Sequence, residues 1–271
     1  MNTRSIAVRS AAAPAKPAPR LPLGLLLPAL LLLAAEAGVR SGLVPANLLP
    51  APSQVAQTLV YLAEHGLAAH VASSALRVLA GFAAGASLGV VLGAVVALSR
   101  RTEALLDPTF QALRAIPSLA WVPLLLLWFG IDETPKLMLI AIGAFFPVYM
   151  GASSGIRGVD RKMVEVAQLY RLGRVALVRR VLLPAALPAL MTGLRNGLSL
   201  AWMFMVAAEL IAASRGLGYL LSDGRETSRA DIVLAAIVLL AVLGKASDSL
   251  MLRLENRWLA WRDSYASVER E

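Results

Sequence analysis

The sequence has 271 residues, of which 58% are hydrophobic and only 16% are charged, and it contains no cysteine. Because a soluble domain has roughly 25% charged residues, this chain is short of polar surface. The lack of cysteine excludes disulfides, zinc–thiolate sites and thiol catalysis. The net charge of +9 fits either nucleic acid or a membrane, but the basic residues cluster between long apolar runs. The composition therefore predicts an integral membrane protein whose partner is the lipid bilayer. Nucleic acid is not expected as a partner.

Six apolar segments are long enough to cross a bilayer, since a transmembrane helix needs about 20 apolar residues. We expect residues 1–20 to form a disordered tail. Residues 40–69 form a connector, in which a short helix begins at Pro52 and runs to Glu64. The fold predicted is all-α with six transmembrane helices: Leu21–Val39, Val71–Leu98, Ala104–Phe129, Thr134–Gly155, Ala186–Ala213 and Ala230–Leu252.

The first span has a second interpretation. Its basic flank, leucine-rich centre and Ala35-Glu36-Ala37 sequence also resemble a signal peptide with a cleavage site. The apolar run is long for a signal peptide, and glutamate is unusual at such a site. We therefore favour a transmembrane helix over residues 21–39.

The distribution of lysine and arginine predicts the orientation. If the amino terminus is cytoplasmic, the segments on that side hold 17 of the 26 basic residues and the opposite segments hold five. Cytoplasmic loops carry the excess of positive charge in membrane proteins. The pattern therefore predicts that both termini, including the tail of residues 256–271, are cytoplasmic and that residues 40–69 are periplasmic.

Glycines spaced four residues apart mark the second span. Such a stripe lets a neighbouring helix approach closely, although a chance run in a Gly/Ala-rich helix is the alternative. Proline residues in the third and fourth spans each remove a backbone donor and kink the helix. The glycines are Gly81, Gly85, Gly89 and Gly93, and the prolines are Pro117, Pro123 and Pro147.

Charged residues within spans are costly and are candidates for function. Arg77 lies on the glycine stripe, and Arg195 and Glu209 are almost four helical turns apart on the fifth span. An anionic solute needs cationic groups along its path, so these three residues are candidates for a translocation pathway. Placement of Arg77 and Glu209 near the outer interface is the structural alternative. Lys245 and Asp248, at i and i+3, fit a structural pair.

Residues 157–184 form a strongly basic segment between the fourth and fifth spans, and we call it the basic segment. Asp160 is a good N-cap, and apolar residues then recur at helical spacing on both sides of a break near Gly173. A charged loop needs no such pattern. Two short amphipathic helices, the second ending at Pro184, are therefore expected to form a docking surface for another protein.

Several kinds of chemistry have no motif here. The sequence contains no GxxxxGK[ST] phosphate loop and no HExxH, and its two histidines lie outside any metal-binding pattern. We therefore expect no catalytic residues, no metal and no cofactor in this chain. If transport is active, the energy comes from an ion gradient or from a separate ATPase. The docking surface favours the ATPase.

Glu165-Val166-Ala167, followed 19 residues after the glutamate by Pro184, resembles the EAA loop of the membrane subunits of binding-protein-dependent ABC importers. The resemblance runs from about residue 60 to residue 255, and residues 70–255 are the expected MetI-like permease core with five helices. It implies that the basic segment sits in a groove on a separate ATP-binding subunit, and that this subunit binds the ATP and magnesium. The basic segment then transmits the closure of the ATP-binding subunits to the spans. The residues implied in coupling are Glu165, Ala167, Arg171, Gly173, Leu183 and Pro184.

Within these importers the chain is similar to the nitrate, sulfonate and taurine group, and more narrowly to the aliphatic sulfonate permeases. The implied assembly is a permease homodimer with two ATP-binding subunits and a periplasmic binding protein in the bacterial inner membrane. Taurine or nitrate is the alternative solute. The segments that carry this resemblance are residues 49–53, 77–82, 127–133, 155–157, 208–209, 216–220 and 254–261.

One residue departs from the family pattern. The family usually has glycine six residues after the glutamate, where this chain has Arg171. Arginine in a left-handed conformation costs on the order of 1 kcal/mol. We therefore expect the first coupling helix to run on by half a turn, so that Gly173 takes the left-handed position.

Two other classes of protein stay open at this stage. A gradient-driven secondary transporter predicts buried carboxylates near the middle of the membrane and an internal repeat. Only Glu209 is an acidic candidate on the fifth span, and no repeat is visible. A non-transporting membrane scaffold is the third possibility.

Overall fold

The structure, a computed structural model, describes residues 23–261, and in that range it contains helices and no β-strand. The tail predicted for residues 1–20, and residues 262–271 of the second predicted tail, lie outside the described residues. The helices are α1 Leu23–Arg40, α2 Pro52–Glu64, α3 Leu67–Leu98, α4 Arg100–Ala115, a 3₁₀ turn Ser118–Trp121, α5 Val122–Phe129, α6 Glu133–Arg157, α7 Arg161–Leu169, α8 Arg174–Leu177, a π-helical turn Val178–Leu182, α9 Leu183–Ala212, α10 Leu217–Glu226 and α11 Ala230–Trp258.

The described residues divide into two compact units, which meet in the sequence between Ser53 and Gln54. In the first unit, the carboxylate of Glu36 near the end of α1 accepts hydrogen bonds from the backbone nitrogen of Ser53 at 3.0 Å and from its hydroxyl at 2.8 Å. Arg40 donates to the same carboxylate at 2.7 Å. Glu36 therefore joins the end of α1 to the start of α2. The predicted boundaries of α2, from Pro52 to Glu64, are confirmed.

Within residues 23–261, four helical runs are long and apolar enough to cross a membrane, and a fifth is present if the bent pair of residues 100–115 and 118–129 counts as one span. The four runs are α3, α6, residues 174–211 and α11. The all-helical membrane fold is thus confirmed. The sixth span and the orientation stay predictions.

The third predicted span is not one continuous helix, which corrects the sequence analysis. The chain turns by 90° between α4 and the following helical segment. Ile116, which precedes Pro117, has an extended backbone with φ −73° and ψ 123°. The proline ring disfavours the helical conformation in the preceding residue. The kink expected from Pro117 is therefore a complete break.

Helix α6 lies at the centre of the second unit and touches the backbone of α3. A Cβ atom at Gly81 would lie 3.1 Å from the Leu137 carbonyl oxygen, and one at Gly85 would collide with the Ala141 carbonyl. Cβ atoms added at Gly89 and Gly93 would lie 2.9 Å and 2.7 Å, respectively, from carbonyl oxygens of α6. Any side chain at these positions would push the two helices apart, so the glycine stripe is the contact surface of α3.

A second set of glycines brings α6 against α9, and the sequence analysis did not identify it. Gly151 on α6 faces Gly193 on α9, where an added Cβ would lie 2.9 Å from the opposite Cα. A Cβ at Gly197 would lie 3.0 Å from the Ala144 carbonyl oxygen. Gly193 and Gly197 form a GxxxG pair, the usual signal for close helix packing in membranes, so the sequence did contain the information.

Gly85→Ala tests the packing of α3 on α6. The added methyl group meets backbone atoms that cannot rotate away, and overpacking of this kind costs typically 1–3 kcal/mol. We expect a clear loss of thermal stability of the detergent-solubilised protein, measured by size-exclusion chromatography after heating. Gly244→Ala is the matched control, because nothing lies within 4 Å of a Cβ at that helical glycine. Equal stability of the two variants would contradict the packing role of Gly85.

Candidate functional site

The basic segment begins with α7, whose start agrees with the sequence analysis. The carboxylate of Asp160 accepts a hydrogen bond from the backbone nitrogen of Lys162 at 2.9 Å. Asp160 is therefore the N-cap of α7, as predicted. An acidic side chain there also interacts favourably with the helix dipole.

The turn after α7 corrects the expectation for Arg171 and Gly173. Arg171 itself has the left-handed conformation, with φ 50°, whereas Gly173 is extended with φ −63° and ψ 161°. The Leu172 amide donates to the Ala167 carbonyl at 3.1 Å, and the Arg171 amide donates to the Gln168 carbonyl at 2.9 Å. These two bonds form a Schellman motif. They satisfy carbonyls at the end of α7 and offset the cost of arginine at positive φ.

The sequence analysis expected the second half of the basic segment to be a separate short helix that ends at Pro184. The structure does not have this helix. Residues 174–211 form one helical run. Pro184 lies in the first turn of α9, directly after the π-helical turn, in which the Leu183 amide donates to the Val178 carbonyl five residues earlier. Proline normally clashes with the carbonyl four residues before it. The wider turn accommodates Pro184, so the basic segment continues into a membrane helix without a break.

The basic segment exposes apolar side chains that a soluble or membrane core would bury. Leu169 is 82% exposed and Tyr170 is 79% exposed, with Met163, Val166 and Val175 also exposed. Large exposed apolar surfaces of this kind mark interaction sites. The surface therefore has the character predicted for a docking site.

The other predicted coupling residues differ in their exposure. Glu165 is exposed and pairs with Arg161 at 2.8 Å within α7. Leu183 is 44% exposed, whereas Ala167 is only 4% exposed. The small side chain of Ala167 thus packs within the chain itself. A role of these residues in coupling stays a prediction.

Arg157, where the basic segment begins, is held by acidic residues of α4. Its guanidinium donates to Glu103 and lies 3.5 Å from a carboxylate oxygen of Asp107. The hydroxyl of Tyr149 on α6 donates to the same carboxylate at 2.7 Å. These contacts tie α4 and α6 together at the end of the bundle that carries the basic segment.

A largely buried ion cluster lies at the opposite end of α6. It is composed of the buried residues Ser74, Arg77, Lys136 and Glu209 and the half-exposed Glu133. Arg77 donates two hydrogen bonds of 2.7 Å to Glu133 and one of 2.7 Å to Glu209. Lys136 lies 3.0 Å from Glu133. Two cations therefore face two carboxylates, and the cluster joins α3, α6 and α9.

The same cluster holds the start of α10. The Glu209 carboxylate accepts from the Gly218 amide at 2.8 Å, and the Leu217 amide donates to the Ser74 hydroxyl at 2.8 Å. Gly216 has φ 135°, and a Cβ atom there would collide with the Glu209 carboxylate. The chain after α9 must therefore fold back tightly over Glu209. Segments 77–82, 208–209 and 216–220, which carried the family resemblance, meet at this point.

Arg195 and Glu209, which are 14 residues apart on α9, have different partners. Arg195 pairs with Asp248 at 3.0 Å and Glu255 at 3.2 Å on α11. Lys245 lies 3.6 Å from Asp248, so the predicted pair forms within this group. The sequence analysis also missed Glu133 as a partner of Arg77. A pathway role for Arg77, Arg195 and Glu209 stays a prediction.

The fold and these surfaces define a membrane-embedded transport subunit: a bundle of spanning helices with an exposed amphipathic docking segment between two of them. Residues 85–259 match the family model described as "Binding-protein-dependent transport system inner membrane component". The chain belongs to this family and is an ABC importer permease of the inner membrane.

Curated relatives and a solved structure agree with this assignment. The putative aliphatic sulfonates transport permease protein SsuC of Bacillus subtilis (strain 168) is 44% identical over 89% of this chain and 88% of its own length. The taurine transport system permease protein TauC of Escherichia coli (strain K12) is 36% identical over 79% of this chain and 80% of its own length. A chain of the inward-facing MetNI methionine ABC transporter matches with a TM-score of 0.63 at 17% identity, over 71% of this chain and 95% of that one. The MetI-like fold is thereby confirmed.

Replacement of Arg77 tests the buried ion cluster. Arg77→Met leaves Glu209, which is 1% exposed, without its cation, and breaking one partner of a buried pair costs about 3–5 kcal/mol. We expect a large fall in the thermal midpoint of the purified protein. Lys245→Met is the control, since the side chain of Lys245 is 76% exposed. A similar small fall for both variants would show that the cluster does not stabilise the bundle.

Proposed function

We propose that this chain is the permease of an ATP-driven importer of aliphatic sulfonates. Two copies form the pathway, with two ATP-binding subunits at the basic segments and a binding protein on the opposite side. The observation that carries the proposal is the 44% identity over 89% of the chain to a permease named for aliphatic sulfonates. Taurine, at 36% identity to the named permease, is the runner-up solute.

The exposed basic segment supports a separate ATPase as the source of energy. A surface with Leu169 and Tyr170 more than three-quarters exposed needs a protein partner to cover it. The exposed Glu165 lies beside this apolar surface on the same helix and supplies a polar contact. This arrangement favours an ATPase-driven importer over a gradient-driven transporter, which needs no such docking surface.

The surface of α9 supports a homodimer. Thr192, Asn196 and Ser199 are exposed and follow one face of this helix. Polar side chains in a spanning helix face a protein partner or a water-filled path, because contact with lipid is unfavourable. A second copy packed near this face would enclose the path between the two subunits.

The continuous helical run of residues 174–211 supports a mechanical route for coupling. When ATP binding closes the ATPase dimer, the basic segment moves with it, and the rigid run carries that motion into α9. The pairing of Arg157 with Glu103 carries the same motion into α4. The spans then open outward and accept solute from the docked binding protein.

Growth on defined sulfur sources tests the solute class. A strain that lacks this chain should fail to grow with ethanesulfonate as sole sulfur source and should grow normally on sulfate. Deletion of the ATPase gene should give the same phenotype, because transport depends on ATP. Loss of growth on taurine alone, or of nitrate use alone, would contradict the sulfonate proposal. Uptake without any ATPase would instead favour the secondary transporter.

Charge reversal at Glu165 tests the docking surface. Glu165→Arg should lower ethanesulfonate uptake at least tenfold and reduce binding-protein-stimulated ATP hydrolysis, because it places a positive charge at the centre of the ATPase contact. The amount of protein in the membrane, measured by immunoblot, should stay unchanged since Glu165 is exposed. Glu64→Arg, at an exposed position on α2, is the matched control. Normal uptake by Glu165→Arg would refute the contact.

A further inference from the structure

A cavity of about 640 Å³ lies between the end of α4, the middle of α6 and the first half of α9. Its wall contains cationic, hydroxyl and amide groups, and no acidic side chain lines it. Phe146, Leu200 and Phe204 form an apolar part of the same wall. The polar residues of the wall are Arg114, Ser118, Ser154, Thr192 and Asn196.

Arg114 differs from the other cations that the sequence places within spans. Arg77, Arg195 and Lys245 each have an acidic partner within 4 Å. Arg114 has no ion pair and no side-chain hydrogen bond to any residue in the range 23–261, and its side chain is exposed. An uncompensated charge inside a membrane is expensive and therefore marks a functional site.

The depth of Arg114 adds to this argument. Glu103, on the same helix, pairs with Arg157 at the end of the bundle that carries the basic segment. Arg114 lies eleven residues further along α4, which corresponds to about 16 Å at 1.5 Å per residue. This is about half of the ~30 Å thickness of the hydrocarbon core. The unpaired guanidinium thus lies well away from that end of the bundle and lines the cavity.

We propose that this cavity is an anion-binding station on the translocation pathway and that Arg114 binds the sulfonate group of the solute. The inference rests on the proposed function and adds the residue that recognises the charge. Arg77 and Arg195 are not assigned this binding role, because their charges already have acidic partners.

The chemistry of the wall fits an alkanesulfonate. A guanidinium presents several N–H donors in a planar fork, which suits the oxygens of a sulfonate. The Asn196 amide, which has no hydrogen-bond partner among the described side chains, and the Ser118 hydroxyl supply neutral donors. Phe146 and Phe204 supply apolar surface for the alkyl chain. A second cavity of about 370 Å³, between α3, α4 and α6, is lined by apolar residues without a cation and lacks this combination.

The cysteine-free sequence allows a direct binding test. Thr192→Cys places a single thiol in the cavity wall, and its reaction rate with a maleimide is measured on the purified importer complex with and without ethanesulfonate. We expect ethanesulfonate to slow labelling several-fold, whereas the neutral dimethyl sulfone has no effect. Adding Arg114→Gln should abolish this protection, and adding Arg114→Lys should keep part of it. Lys245→Gln, combined with Thr192→Cys in place of Arg114→Gln, is the control for loss of a cation outside the cavity. It should leave the protection by ethanesulfonate intact.

Uptake by cells separates this inference from the proposed function. If the wild type imports ethanesulfonate, Arg114→Gln should reduce the maximal rate at least tenfold with normal abundance in the membrane. Normal uptake by Arg114→Gln, or protection that persists in it, would overturn the binding role while the proposed function stands. Dissociation of the dimer on replacing Arg114 would assign the residue to the interface between copies and would also overturn it. Absence of uptake by the wild type would instead reject the proposed function.

Discussion

The close approach of backbones on both sides of α6 is the constraint on which the rest of this structure depends. Lipid tails are as apolar as leucine, so the hydrophobic effect does not hold membrane helices together, and van der Waals packing must do so. Gly85 and Gly93 let α3 touch the carbonyl groups of α6, and Gly151 and Gly193 let α9 touch it from another side. On α9, Thr192, Asn196 and Ser199 follow a face that the described residues leave exposed.

The packed helices place their charges in three layers with different chemistry. At one end, Arg77 and Lys136 face Glu133 and Glu209, and in the described part of the chain every buried side-chain nitrogen and oxygen has a partner. At the other end, Arg157 joins α6 to α4. Between them lies Arg114, without an acidic partner. Compensated charges at the two ends hold the helices, and Arg114, which has no ion pair in the described part of the chain, stands beside a cavity.

Local and periodic features of this fold could be predicted from the sequence, and contacts between distant residues could not. The Asp160 cap and the boundaries of α2 depend on a few neighbouring residues, which is why they were found. The pairing of Arg77 with Glu209 joins residues 132 positions apart, and no spacing rule identifies it. The prediction for the turn at Arg171 was wrong for a different reason. It considered the backbone cost of about 1 kcal/mol for arginine at positive φ, but not the two hydrogen bonds of the Schellman motif that offset this cost. The Gly193 and Gly197 pair was visible in the sequence and was overlooked.

The connections of the basic segment explain how a small movement outside the membrane can change a cavity within it. Its start continues from α6 and is tied to α4 through Arg157, and its end continues into α9 across the π-helical turn. These are the three helices that line the cavity beside Arg114. The glycine contacts fix α6 against both α3 and α9, so a displacement of the basic segment that changes the cavity is accommodated mainly by α4. The break at Pro117 is the irregular point at which this side of the cavity can bend, and it lies between the basic segment and the far end of the bundle.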